Sequence, residues 1–210
     1  MRITVFGATG GTGRHVVEQA LDAGHHVTAV VRDPARLGLP AADRLDVVTV
    51  QLDDRAAVRA AVAGADAVVD ALGSGSGPTT VRTDAARVIV AAMRDAGVRR
   101  LVVVSAAGAH TTGDTAFVRF VVKPVLGYVL RHPFADMRAM EEVVRASDLD
   151  WTIVLPPQLT DGPRTGAVRR RVGANVRGSY RLARADLAAA VLDAVGDDGV
   201  RHASLSVAAG

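Results

Sequence analysis

The residues with the clearest chemical potential lie near the start of the chain, where three glycines recur at an interval of three. Residues 7–13 read Gly-Ala-Thr-Gly-Gly-Thr-Gly, directly after an apolar segment and at the start of a helical one. In such a loop the glycines permit a sharp turn, a close approach of backbone to pyrophosphate, and tight helix packing, while the helix N-terminus offers free amides to the phosphates. The pattern predicts a dinucleotide site. Its predicted contacts are Gly7, Thr9, Gly10, Gly11, Thr12 and Gly13.

The residues after the second predicted strand bear on which dinucleotide is bound. An acid about 20 residues past the glycines is typical of NAD sites, and Asp33 stands near that place. Asp33 precedes Pro34, however, and Asp followed by Pro is a common helix start in which the carboxylate accepts from backbone amides. Arg32 would then face the adenosine ribose, where it suits a 2′-phosphate, with Arg36 assisting. The pattern favours NADP(H) over NAD(H), with a solvated surface role for Arg32 as the alternative.

Two further segments are candidates for cofactor binding. Asp53 follows the third predicted strand, where the adenine would lie, and either binds the adenine or caps the helix that starts at residue 54. Leu72, Gly73 and Ser74 follow the fourth strand, where backbone groups would pass the ribose and the phosphates.

These residues need a scaffold, and the chain supplies an alternation of apolar strands and helices. The strands lack an alternating polar face, which favours a parallel, doubly wound α/β sheet (a Rossmann fold) buried on both sides, in a single domain spanning 1–210. Right-handed crossovers would align the carboxyl ends of the strands along one edge. The predicted strands are 3–6, 27–31, 47–50, 67–71, 101–104, 151–155 and 203–207, and the predicted helices are 11–23, 54–63, 79–96 and 185–195. A mostly helical region is expected at 116–147, and an irregular segment rich in Arg and Gly, with room for a short strand, at 160–182.

Composition excludes several classes of protein. The chain has no cysteine, and its six histidines lack a zinc-ligand spacing, so neither thiol chemistry nor a metal site is expected. The formal charge is only +3, aromatic residues are 3%, and 24 of the 25 basic residues are scattered arginines, which disfavours nucleic acid as a partner. No apolar run reaches the ~18 residues of a membrane span, so a cytoplasmic protein without a membrane partner is expected.

Several short motifs, taken in order, resemble a known family. The chain is similar to the atypical short-chain dehydrogenases that consist of an NAD(P)-binding domain alone, and most similar to the flavin reductase/biliverdin-IXβ reductase group. The resemblance covers essentially the whole chain. It rests on Gly7–Gly13, Val31-Arg32-Asp33, Ala71-Leu72-Gly73 with Pro78-Thr79-Thr80, Val104-Ser105-Ala106, Leu155-Pro156-Pro157 with Asp161-Gly162-Pro163 and Thr165-Gly166, and Arg184-Ala185-Asp186-Leu187.

This resemblance implies NADPH binding and hydride transfer to a flat, conjugated small molecule such as a flavin or a linear tetrapyrrole. It places Ser105 beside the nicotinamide as the candidate catalytic residue, orienting the carboxamide or the acceptor; capping of a turn is the alternative. Pro156 and Pro157 would make the loop under the nicotinamide rigid, and Gln158 would bind the carboxamide or the acceptor. Tetrapyrrole-reducing relatives can have His in place of Gln158. The segments 105–137 and 156–182 are expected to form the acceptor site. The protein is expected to act as a monomer.

The chain lacks a Tyr-x-x-x-Lys pair, because Tyr128 is followed four residues later by His132 and the sole lysine, Lys123, precedes it. A ketone reductase must protonate an alkoxide and needs a positioned acid, whereas a conjugated acceptor spreads the incoming charge and can take its proton from water. A sensor of the NmrA-like type, which binds the cofactor without turnover, is the competing hypothesis. The acidic residues of the 116–147 region, Asp136, Glu141 and Glu142, are expected on a solvated helix face.

Overall fold

The computed structural model describes residues 1–73, 78–110 and 131–210. The strands and helices predicted from the sequence in these ranges are confirmed, with small shifts at their ends. The strands are β1 (Arg2–Phe6), β2 (His26–Val31), β3 (Leu45–Thr49), β4 (Ala67–Asp70), β5 (Arg100–Val104), β6 (Asp150–Leu155), β7 (Gln158–Thr160), β8 (Val168–Val172), β9 (Arg181–Ala183) and β10 (Ala203–Ala209). The helices are α1 (Gly11–Asp22), α2 (Arg55–Val62), α3 (Val81–Ala96), α4 (Arg131–Arg145) and α5 (Arg184–Gly196).

Eight of the strands form one sheet in the order β3-β2-β1-β4-β5-β6-β10-β8. All neighbours in it are parallel except β10 and β8, which pair antiparallel. The chain runs outward from β1 through β2 to β3 and then crosses back to β4, so that β2 and β4 lie on opposite sides of β1. In open α/β sheets this switch point, at the carboxyl ends of the strands, is where ligands bind.

Aliphatic side chains fill the space on both faces of the sheet. Helices α1 and α5 cover one face, where Val16, Val17 and Leu187 are buried against strand residues. Helices α2, α3 and α4 cover the other, with Ile89 and Met140 among the buried side chains. Strands buried on both sides need no polar alternation, which explains why β1, β4 and β6 are almost continuously apolar.

The segment 160–182 contains more regular structure than the sequence predicts. Strands β7 and β9 pair parallel as a separate two-stranded sheet, and β8 forms the antiparallel edge of the main sheet. Asp186, buried in the first turn of α5, accepts bonds from the amides of Thr165 and Gly166, each at 2.9 Å, and from the Thr165 hydroxyl at 2.8 Å. The Thr165-Gly166 and Arg184–Leu187 motifs therefore meet in space, and their contact fixes the segment that precedes β8.

No helix within 1–73, 78–110 or 131–210 is long and apolar enough to cross a membrane. In the same ranges no three His, Asp or Glu side chains are grouped so that they could hold a metal ion.

Candidate cofactor and acceptor site

The glycine loop leaves β1 and enters α1 in a conformation that requires glycine at two points. Gly7 has a φ of 75°, and a Cβ on it would lie 2.6 Å from the carbonyl oxygen of Ala71. A Cβ on Gly13 would overlap the carbonyl oxygen of Gly7, so the first turn of α1 packs directly on the loop. The amide of Gly10 donates to that same carbonyl at 2.9 Å and closes the turn. These contacts bring the amino end of α1 to the carboxyl edge of the sheet.

The middle of the loop is open to the outside. Gly10 and Gly11 are exposed, Thr9 is half-buried and Thr12 is buried. A Cβ on Gly10 would meet only the Gly7 oxygen, at 3.1 Å, so this side of the loop is free of side chains among the residues that the structure describes. A helix N-terminus with accessible backbone is suited to a pyrophosphate.

Arg184 lies against this loop, which the sequence analysis did not predict. A Cβ on Gly11 would come within 2.7 Å of the Arg184 Cδ atom, and the guanidinium forms an ion pair with Asp161. Arg184 is the first residue of α5, which packs on α1, and this packing holds the side chain over the glycines. Its position could have been suspected only from the Arg184–Leu187 motif.

The end of β2 is arranged as the sequence predicts for a helix start. Asp33 is the N-cap of a 3-10 turn over Pro34–Arg36, and its Oδ1 atom accepts from the Ala35 amide at 3.0 Å. Arg32 and Arg36 are exposed, and within the described part of the chain neither has an ion-pair partner. The carboxylate is thus used by the backbone, while the Arg32 guanidinium stays available for a ligand.

The capping alternative for Asp53 is wrong. The N-cap of α2 is Asp54, whose Oδ1 atom accepts from the Ala57 amide at 2.9 Å, while Asp53 contributes only its backbone carbonyl to the turn. Asp53 and Asp54 are both of a residue type that caps helices, but only Asp54, directly before the first helical residue, reaches the free amides. A hydrogen bond between the adenine and the exposed Asp53 side chain remains a prediction.

The segment after β4 is partly occupied by its own contacts. The amide of Leu72 donates to Asp70 at 3.0 Å, so it is not free for a phosphate, and Gly73 is exposed with open space where a Cβ would be. Ser74 lies outside the described residues. Asp70 is buried at the end of β4, and burial raises its pKa to about 6, against the opposing effects of the Leu72 amide and the charge of Arg82.

Ser105 lies at the end of β5, and its side chain turns toward α4. The Oγ atom donates to Oε1 of Glu141 at 2.5 Å, so the alternative in which the hydroxyl caps a turn is wrong. The Nε2 atom of His110 is 2.9 Å from the same oxygen, and Arg145 donates to Oε2 at 2.8 Å. The four side chains form a polar cluster between β5 and α4.

Glu141 is fully buried, which corrects the prediction of a solvated position. Burial by itself raises the pKa of Glu141, but the bonds from His110 and Ser105 and the charges of His110 and Arg145 outweigh it and leave the pKa below its ordinary value. The carboxylate is therefore ionised at neutral pH. Glu142, its neighbour, is exposed as predicted.

Asp136 is the second correction on α4, because its side chain is buried and caps a different helix. It accepts from the amides of Arg82 and Thr83 at 3.1 and 3.0 Å, and from the Thr83 hydroxyl at 2.7 Å. Thr80, the N-cap residue of α3, makes no capping bond with its own side chain. Asp136 therefore satisfies amides that the sequence around α3 leaves open.

The loop after β6 lies next to Ser105. The carbonyl of Pro156 accepts from the Ala107 amide at 2.8 Å, which ties this loop to the turn after β5. Pro156 is buried, Pro157 half-buried and Gln158 exposed, with the Gln158 amide bonded to the Tyr180 carbonyl at 3.1 Å.

The carboxyl edge of the sheet thus brings together most of the predicted site. Adjacent strands are about 4.8 Å apart, so β5 lies about 10 Å from β1 on the side opposite to β2. The glycine loop is at the centre, Arg32 on one side and Ser105 on the other. Tyr128 and Lys123 lie outside the described residues.

Comparisons with known proteins identify the family of the chain. The model of a family described as NAD(P)H-binding matches residues 7–198. An uncharacterised protein of Bacillus subtilis, YwnB, is 28% identical, with 92% of this chain and 91% of its own length covered.

Two solved structures show the same fold. A Streptococcus pneumoniae protein, proposed to be an NADH-flavin reductase, superposes over 100% of both chains with a TM-score of 0.81 and 21% identity. A short-chain dehydrogenase/reductase of Veillonella parvula, solved in complex with NADP, covers 99% of this chain and 94% of its own, with a TM-score of 0.78 and 20% identity.

Proposed function

The chain belongs to a family of NAD(P)H-binding proteins of the oxidoreductase type, and from this premise we propose that it is an NADPH-dependent reductase of flavins or similar conjugated acceptors. In this proposal the cofactor lies along the carboxyl edge of the sheet. Its adenosine is near Arg32 and Asp53, its pyrophosphate on the glycine loop, and its nicotinamide near Ser105. The acceptor stacks on the nicotinamide between the segments 105–137 and 156–182, of which residues 111–130 lie outside the described part.

The observation that supports a conjugated acceptor is the bond between Ser105 and Glu141. The Ser105 hydroxyl donates its hydrogen bond to an ionised carboxylate, so it is not poised to protonate an alkoxide. A ketone would need such an acid at the reacting carbon. A flavin spreads the hydride charge over its ring system, and the protein then has mainly to bring the two rings together.

Arg32 supports the preference for NADPH. The Asp33 carboxylate is engaged with the Ala35 amide, which supports Arg32 as the side chain that would face the ribose. A guanidinium matches a 2′-phosphate in charge and geometry. The Streptococcus pneumoniae neighbour is named for NADH. At 21% identity that name does not decide the cofactor here.

The first experiment is the anaerobic consumption of NADPH by the purified protein, followed at 340 nm with and without FMN, with NADH in parallel. Rapid oxidation that depends on FMN and is much slower with NADH is the expected result. Tight NADPH binding without reduction of FMN or biliverdin would contradict the reductase and favour a sensor that signals through a protein partner.

Replacement of Arg32 tests the cofactor preference. Arg32→Ala should weaken NADPH binding about 10-fold or more and leave NADH binding nearly unchanged, because only NADPH has the 2′-phosphate. Arg44→Ala, an exposed arginine before β3, is the control for a general loss of positive charge. Equal losses of affinity for the two cofactors would show that Arg32 does not bind the 2′-phosphate. Both affinities can be measured by fluorescence titration.

A further inference from the structure

We infer that Glu141 is a positioning residue which makes the Ser105 hydroxyl an acceptor for the carboxamide N–H of the bound nicotinamide. The inference rests on the proposed function, because it needs the nicotinamide beside Ser105. It concerns a residue that lies on α4, 36 positions away in the chain, and that would not touch the cofactor.

The contacts of Glu141 determine the direction of each hydrogen bond. An ionised carboxylate only accepts, so the Ser105 hydroxyl and the Nε2 atom of His110 must both donate to Oε1, at 2.5 and 2.9 Å. Arg145 donates to Oε2 at 2.8 Å. With three donors converging on it, the carboxylate has little freedom to turn, and it is fully buried.

The order of these groups excludes a nucleophilic serine. In a Ser-His-acid triad the imidazole lies between serine and acid, so that it can take the serine proton. Here the hydroxyl bonds the carboxylate directly, and the imidazole bonds the same carboxylate oxygen from another side. The arrangement fixes a hydroxyl in place and does not activate it for attack.

A fixed hydroxyl has a defined polarity toward the site. Its single hydrogen is committed to Glu141, so only the lone pairs of Oγ remain for a ligand. The nicotinamide carboxamide carries both an N–H donor and a carbonyl acceptor, and only its N–H side can bond to such an oxygen. Ser105 would therefore select one rotation of the carboxamide and, with it, one placement of the ring.

Glu141→Gln should reverse this polarity. Arg145 can only donate, so it would bond the amide oxygen, and the amide nitrogen would then face Ser105 and His110. The Ser105 hydroxyl would accept from that nitrogen and turn its hydrogen toward the site. The variant keeps the size of the side chain while it changes the direction of the bond.

The test compares equilibrium binding of NADP+ with that of its 3-acetylpyridine analogue, in which a methyl group replaces the carboxamide N–H2. The wild-type protein should bind NADP+ about 5-fold more tightly, as expected for one hydrogen bond. Ser105→Ala and Glu141→Gln should each abolish this preference. Glu142→Gln, the same change at the exposed neighbouring position, should retain it.

Two further measurements make the test decisive. Adenosine 2′,5′-bisphosphate, which has no nicotinamide, should bind all variants equally and so reports whether the fold and the adenosine side are intact. Glu141→Asp keeps the charge but shortens the side chain away from Ser105, and it should also lose the preference. It replaces Glu141→Gln if the loss of charge beside Arg145 prevents folding.

The outcomes separate this inference from the proposed function. Wild-type protein that binds neither NADP+ nor the bisphosphate would overturn both. Binding with an unchanged preference in the folded Glu141 variants, alongside a lost preference in Ser105→Ala, would overturn only the role of Glu141. A preference that survives Ser105→Ala would overturn the carboxamide contact itself.

Discussion

At Gly10 the backbone itself is the surface offered to a ligand. The residue is exposed, its φ of −78° and ψ of 160° are accessible to any amino acid, and a Cβ would meet only the Gly7 oxygen, at 3.1 Å. Gly13 differs, because a Cβ there would overlap the Gly7 carbonyl. Gly10 is thus free to serve ligand binding, whereas glycine at position 13 is required for packing.

Gly10→Val should therefore separate binding from folding. We expect the affinity for NADPH to fall at least about 10-fold, because the side chain would occupy the space of the pyrophosphate, while the melting temperature changes by only a few degrees. Gly13→Ala is the contrasting variant and should lower the melting temperature much more. Fluorescence titration and thermal unfolding measure the two effects. Unchanged NADPH affinity in Gly10→Val would refute the glycine loop as the phosphate site.

Residue roles could be predicted from the sequence where the partner is close in the chain. Asp33 was placed correctly because the amide it caps is two residues away. Glu141 and Asp136 were not, because their partners lie 31 to 54 residues away, in the segment that follows β5 and on α3. An acid four residues before an arginine on a helix is usually a surface pair, and only the packing of α4 shows that Glu141 is buried.

At the scale of elements, two helices are held in place by polar contacts from elsewhere. Helix α4 caps α3 through Asp136 and meets β5 through Glu141, so it both orders α3 and shapes the candidate site. Helix α5 is held at its opposite end, away from the site. There the buried guanidinium of Arg100 on β5 donates to the carbonyls of Ala194 and Val195 in the last turns of α5.

Arg100→Met should destabilise the protein without affecting the cofactor. The guanidinium also donates to the Asp150 carbonyl at 2.6 Å and to the Thr152 hydroxyl at 2.9 Å, so its loss leaves several buried acceptors unsatisfied. A cost of about 3 kcal/mol is expected in urea unfolding. Arg99→Met, at the exposed neighbouring arginine, should cost less than about 1 kcal/mol. Equal costs for the two variants would contradict the capping role of Arg100.

Elements with a strong local signal were predicted well, and edge elements were not. Strands such as β4 and β6 are continuous apolar runs, which only a doubly covered parallel sheet explains. Strand β8 reads Val-Arg-Arg-Arg-Val and has no apolar face, since it lies at the edge of the sheet, where its arginines are exposed. Strands β7 and β9 have three residues each, too few for any periodicity to be recognised.

At the scale of the whole molecule, the strand order distributes the predicted contacts along an extended cofactor. The doubly wound order, with the switch at β1, was predictable from the alternation of strands and helices. Which polar side chains become buried could not be predicted, because burial depends on how helices and strands distant in the chain pack around them. Asp70 shows this: nothing in the run Val-Val-Asp-Ala reveals that its carboxyl group is enclosed at the end of β4.

Asp70 should make the stability of the whole fold depend on pH. Its pKa is raised from the ordinary 3.8 to about 6, mainly by burial. Between these values the folded protein binds more protons than the unfolded chain, so the contribution of Asp70 to stability falls as pH rises from about 4 to about 6 and stays low above that. Glu141, with a lowered pKa, contributes in the opposite direction, so wild-type data alone cannot isolate Asp70.

The difference between wild type and Asp70→Asn removes this overlap, since every other group is common to both proteins. The amide oxygen can still accept from the Leu72 amide, and no charge has to be buried. We expect urea unfolding to show the variant gaining about 2 kcal/mol relative to wild type between pH 4 and pH 7. Asp95→Asn, an exposed acid on α3, should show no such gain. Parallel curves for wild type and Asp70→Asn over this range would mean that Asp70 ionises in the folded protein as it does in the unfolded chain.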